Sequence, residues 1–254
     1  MSSSLFMPFR DFGNAVWRAD ELGCSVGATV ATGHPELDVL LPSGGWPVGA
    51  ISEILQMQSG QHEWRLLLPA LKRADPGSVV VLVGAPHVPF GPGLAAQGFD
   101  VRRLLVINTD TSATRLWATE QVLRCSEVVA VLAWLPQVRV EQLRRLQITA
   151  HAHSKLLFVM RPALAQSDPS PAVLRVLLST RHDSDALQLR ILKRRGPPFD
   201  QPLSLSARPA LLAVLLAIHC DQAANEPIPG TQCSYLPRFF ERSGDVLDRV
   251  ASPA

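Results

Sequence analysis

Short unbroken apolar runs alternate with stretches of helical period through most of the chain. Ala50–Leu55, Ser78–Val83, Leu104–Ile107, Glu127–Leu135 and Leu156–Met160 are runs of four to nine residues with little polar interruption. Strands covered on both faces have this pattern, because each side chain meets a packed layer whichever way it points. Between them, Trp64, Leu67, Leu68 and Leu71 recur at i, i+3, i+4, i+7, the period of one helix face. Ser112–Arg124 and Gln137–Ser154 also read as helices, the second with Leu143 and Leu146 inward and Arg144 and Arg145 outward. Alternation of this kind predicts an α/β protein with a doubly wound, mainly parallel sheet. From Leu174 the pattern changes. Leu174–Thr180, Leu187–Leu192 and Pro202–Ser206 read as an antiparallel C-terminal extension joined by turns. The expected organisation is an N-terminal helical segment over residues 1–30 that serves as a docking arm, a core over 31–207, and a weakly ordered tail over 208–254.

Composition narrows the function classes. Of 254 residues, 47% are hydrophobic and 18% charged, which supports a real core and excludes a disordered chain. The net charge of +2 gives no argument for nucleic acid. Cys24, Cys125, Cys220 and Cys233 are widely and irregularly spaced, so no zinc site is expected and the thiols read as reduced, as in the cytoplasm. His62, His87, His151, His153 and His182 lack a paired carboxylate or ligand cluster and read as surface or loop residues. Met1–Arg10 is not a signal peptide, and the longest apolar stretch, Ala210–Ile218, is too short to span a bilayer.

Three segments resemble bacterial RecA in order and spacing. The first runs through Thr32-Gly33, Leu37-Asp38, Gly44-Gly45, Pro47, Gly49, Ile51, Glu53 and Ile54. The second runs from Ala85-Pro86-His87 through Gly98-Phe99-Asp100 and Leu104-Leu105 to Thr109-Asp110-Thr111. The third is Leu192 to Phe199. The resemblance implies a RecA-like core whose first segment leads into a phosphate-binding loop. Such a loop needs glycines for close backbone approach, a lysine for charge and a serine or threonine for Mg²⁺. With Gly60 as its second glycine, the window Leu55–His62 places Leu55, Gln61 and His62 where glycine, lysine and serine or threonine belong. Pro86 stands at the position of the glutamate that orients water, and the metal-holding strand ends in Ala133-Trp134 without an acid. These substitutions predict a degenerate P-loop, no cofactor and no catalysis. Both segments matching the DNA-binding loops of RecA, Pro136–Glu141 and Ala163–Pro171, are short.

A chain of this kind is similar to the ImuA family, through Trp17-Arg18, Gly44–Pro47, Leu66–Leu71, Lys193–Pro198 and Leu247-Asp248-Arg249. The resemblance implies an accessory protein of SOS-induced translesion synthesis. Its partners would be an ImuB-like polymerase homologue and an error-prone C-family polymerase, with RecA a further candidate, DNA contact open, and a cytoplasmic, nucleoid-associated location. A cell-division inhibitor like SulA is the alternative. Candidate contacts are Phe9, Phe12 and Trp17 on the N-terminal segment, Trp46 as either partner anchor or core plug, and the basic run Lys193, Arg194 and Arg195, facing a protein partner or DNA phosphates.

Overall fold

The computed structural model describes residues 27–181 and 184–206. Among these residues ten strands and five α-helices follow in order: β1 (Thr29–Val30), α1 (Pro35–Leu40), β2 (Trp46–Pro47), β3 (Ala50–Gln56), α2 (Glu63–Arg73), β4 (Val79–Val83), α3 (Gly91–Ala96), β5 (Leu104–Ile107), α4 (Ser112–Leu123), β6 (Val128–Trp134), α5 (Val140–Ala152), β7 (Leu156–Pro162), β8 (Leu174–Arg181), β9 (Ser184–Lys193) and β10 (Leu203–Leu205). Eight strands form one sheet in the order β10-β9-β8-β3-β7-β6-β4-β5, and β1 pairs with β2 apart from it. From β8 to β5 all neighbours are parallel. β9 runs antiparallel to both β8 and β10. The RecA-like α/β core expected from the sequence is what folds.

The unbroken apolar runs have the expected cause. Alternate residues of the central strands enter two separate cores. Ile54, Leu82, Leu132 and Phe158 pack with Leu66, Leu67 and Leu71 of α2. Ile51, Val81, Val131 and Leu157 pack with Val122 and Leu123 of α4 and Leu143 and Leu146 of α5. Each such side chain contributes about 1.5–3 kcal/mol on burial.

One strand departs from the sequence reading. β8 begins the C-terminal extension, yet it pairs parallel to β3, with Glu53 opposite Arg175 and Ile54 opposite Val176. The connection after β7, carrying a 3-10 turn at Ala163–Ser167, crosses β3 and returns the chain in its original direction. The antiparallel portion therefore starts at β9. The short connections are as expected: β6 ends at Trp134 and α5 starts at Val140.

Trp46 corrects one candidate contact. It is fully buried at the start of β2 and meets the Phe158 ring edge-on at 5.3 Å. A side chain held in that way plugs the core and offers no surface to a partner. Phe9, Phe12 and Trp17, and the tail from 207 onward, lie outside the described residues.

Candidate functional site

The loop that matters joins Gln56, the last residue of β3, to Glu63, the first of α2. A central parallel strand running through a short loop into a helix N-terminus is where a doubly wound sheet presents its backbone N–H groups to an anion. In this chain the anion is a side chain of the helix itself. The Glu63 carboxylate folds back into the loop and is 1% exposed. Its Oε1 accepts from Gly60 N at 2.6 Å, Gln56 Nε2 at 2.5 Å and Trp134 Nε1 at 3.1 Å, and its Oε2 accepts from His62 N at 3.0 Å. Two backbone N–H groups of the loop are thereby committed, and the carboxylate gains from the helix N-terminal dipole. Gly60 has φ +91°, and a Cβ there would meet the His87 ring at 2.7 Å, so the turn that aims its N–H at Glu63 requires glycine.

The walls come from neighbouring strand ends. Trp134, the last residue of β6, reaches across to Glu63 from the α2 side of the sheet. Ala133 points to the other face, against α4 and α5. The loop after β4 adds Pro86, His87, Val88, Pro89 and Phe90. With Gly60, Trp64 and Leu82 these enclose a cavity of about 170 Å³. His62 caps α2, and burial lowers its pKa, with Arg65 acting the same way and Glu63 opposing.

The sequence-predicted positions sort as follows. Gly60 and Pro86 come together at the cavity, with His87 also against Gly60. Gln61 is exposed and its amide bonds Gln58. Leu55 is not in the loop: it is a fully buried strand residue paired with Arg161 and Leu177. The strand simply continues through Gln56. Glu63 and the hydrogen-bonding role of Trp134 are not part of the sequence reading. The available signal for Glu63 was a carboxylate at the first helical position three residues after a glycine.

Lys193, Arg194 and Arg195 lie at the opposite end of the sheet, where β9 finishes beside the start of β8. Lys193 and Arg194 make contacts within the chain. Lys193 Nζ donates to Ser170 O at 2.9 Å, and burial, then Arg175, lowers its pKa. Arg194 bonds the carbonyls of Pro197 and Leu40 and stacks over Phe199 at 5.5 Å. Arg194 and Arg195 also line a cavity of about 220 Å³ with Leu41, Val48 and Leu174.

A second buried carboxylate lies ten residues before Glu63. Glu53 on β3 is fully buried between Arg161 of β7 and Arg175 of β8, each at 2.6 Å. Arg161 also meets Asp168 at 2.8 Å, and Arg175 donates to the carbonyls of Ala165, Gln166 and Asp168. This network ties the crossing segment to the sheet. Among the described residues there is no group of three or more His, Cys, Asp or Glu able to hold a metal ion, and no helix long and apolar enough to cross a membrane.

No protein-family model matches the chain. It is 29% identical over 138 residues to Protein RecA of Crocosphaera subtropica, covering 52% of this chain and 39% of that protein. It is 32% identical over 117 residues to Protein RecA of Symbiobacterium thermophilum, covering 44% and 33%. It is 30% identical over 109 residues to Cell division inhibitor SulA of Photorhabdus laumondii subsp. laumondii, covering 42% and 62%. The chain therefore matches about a third to three fifths of the length of these relatives. The similarity to RecA is weak and covers about half of the chain, and the mostly parallel sheet is consistent with a RecA-like fold.

Proposed function

We propose that this chain is a non-catalytic accessory protein of the DNA-damage response, working through protein contacts in translesion synthesis. The carrying observation is Glu63. Its carboxylate holds the loop donors that a nucleotide phosphate would need. A triphosphate brought to this loop meets a buried negative charge instead of a lysine, and like charges at that range repel. Pro86 can move no proton, and Ala133 and Trp134 supply no carboxylate for a metal. On this reading the core serves as a scaffold. Its partners are an ImuB-like polymerase homologue and an error-prone C-family polymerase, with RecA as a third candidate.

A second reading has one specific observation in its favour, the match to a cell division inhibitor over 62% of that protein's length. Size-exclusion chromatography of the full chain with each proposed partner, beside microscopy of cells overproducing it, separates the two. The first reading expects co-elution with the ImuB-like partner and normal division. Co-elution with none of the three, together with filamentous growth, overturns it in favour of the second.

A further inference from the structure

The cavity over Glu63 has the wrong electrostatics for the ligand its position would ordinarily take. Its floor is a 1%-exposed carboxylate that accepts four hydrogen bonds from neutral donors. Oε1 carries three hydrogen bonds and Oε2 only one, so the second oxygen keeps acceptor capacity. Beside it, Gln56 is 1% exposed and its Oε1 has no hydrogen-bond partner. The site thus holds a surplus of acceptors around a carboxylate. Its walls include Trp64, Phe90 and Trp134, whose ring faces attract cations. At about 170 Å³ the cavity falls short of the roughly 300 Å³ or more typical of a small-molecule site. It has the scale of one side chain. Around this end of the sheet Met57, Val88 and Phe90 are exposed by 83%, 76% and 74%, an apolar rim of the kind that protein partners cover.

We propose that the Glu63 cavity is a socket for a lysine side chain carried on an apolar segment of a partner protein. The ammonium meets the free side of the Glu63 carboxylate, the methylene stem lies against Trp64 and Trp134, and the flanking residues cover Val88 and Phe90. This proposal rests on the reading that the loop takes no nucleotide. It goes further in giving the vacated end of the sheet a partner of defined chemistry.

The test uses the full chain labelled with ¹⁵N-tryptophan. The indole N–H of Trp134, which donates to Glu63, is the reporter, assigned through Trp134→Phe. The probes are n-butylammonium, which copies the end of a lysine side chain, and n-pentanol, an uncharged molecule of similar shape. The expected result is a saturable shift of the Trp134 signal with n-butylammonium, at least about tenfold weaker binding of n-pentanol, and a loss of about tenfold or more in n-butylammonium affinity on Glu63→Gln. Phe90→Ala, an exposed position that leaves the core untouched, weakens n-butylammonium about threefold. Equal or tighter binding of n-pentanol overturns the proposal in favour of a purely apolar occupant, and no shift with either probe overturns it outright. Should Glu63→Gln not fold, the two wild-type titrations still decide. A shift of the same signal by ATP with Mg²⁺ would instead sink the underlying reading, whereas silence toward both ATP and n-butylammonium removes only the socket.

Discussion

Glu53 and Glu63 are two buried glutamates ten residues apart, on one strand and the helix that follows it, and they are neutralised by opposite means. Glu53 sits in mid-sheet with a guanidinium on each oxygen. Glu63 sits at the strand's C-terminal end with two backbone N–H groups, an amide and an indole. The first arrangement compensates charge with charge, in a place no ligand reaches. The second compensates charge with dipoles, and those dipoles belong to a loop built to face an anion. Burial and residue type are the same; what distinguishes the two sites is the kind of donor.

The largest expected effect comes from breaking the charge-compensated side. Glu53→Ala leaves Arg161 and Arg175 buried without their shared carboxylate, which should lower stability by about 3–5 kcal/mol in urea unfolding. Glu63→Gln should lower it by only about 1–3 kcal/mol, since one oxygen still accepts and no buried cation is stranded. If Glu63→Gln proves the more damaging, the contrast between the two sites is wrong. Trp134→Phe keeps most of the ring packing and removes one donor, so a loss of about 1 kcal/mol is expected, visible as a shift in the urea midpoint.

The smallest effect is a pH slope on the α2 side. Burial lowers the pKa of His34, whose Nε2 lies 3.2 Å from the Leu66 carbonyl, and burial likewise lowers that of His62. A folded-state pKa below the ordinary 6.5 means that the unfolded chain binds more protons. The stabilisation is therefore whole above about pH 6.5 and is lost as pH falls below that value. Urea midpoints should fall between about pH 7.5 and pH 5.5, and His34→Gln should flatten that fall.

How much of this was legible in the sequence depends on the range of the interaction. The parallel strands were readable because each carries its own evidence, an apolar run that makes sense only between two layers, as at Val79–Val83. The direction of β8 was not, because its own alternation is the same whether its neighbour is parallel β3 or antiparallel β9. Trp46 was ambiguous for a similar reason, since its exposure depends on Phe158, 112 positions further along. The site was half legible. Gly60, Gln61, His62 and Pro86 could be compared with a motif position by position. Glu63 lay one residue past that comparison, and its partner Trp134, 71 residues away, read as core among apolar neighbours. Leu55 was read both as the end of the strand and as the first position of the loop motif, and β3 continuing through Gln56 bears out only the first.

The central claim, that the Glu63 carboxylate has taken the seat of a phosphate, is tested most directly by titrating the full chain with ATP and Mg²⁺ in a calorimeter, with phosphate release followed in parallel. The predicted result is no heat of binding up to millimolar nucleotide and phosphate release equal to the buffer blank. Micromolar affinity, or turnover that disappears on substituting Gly60, would contradict it.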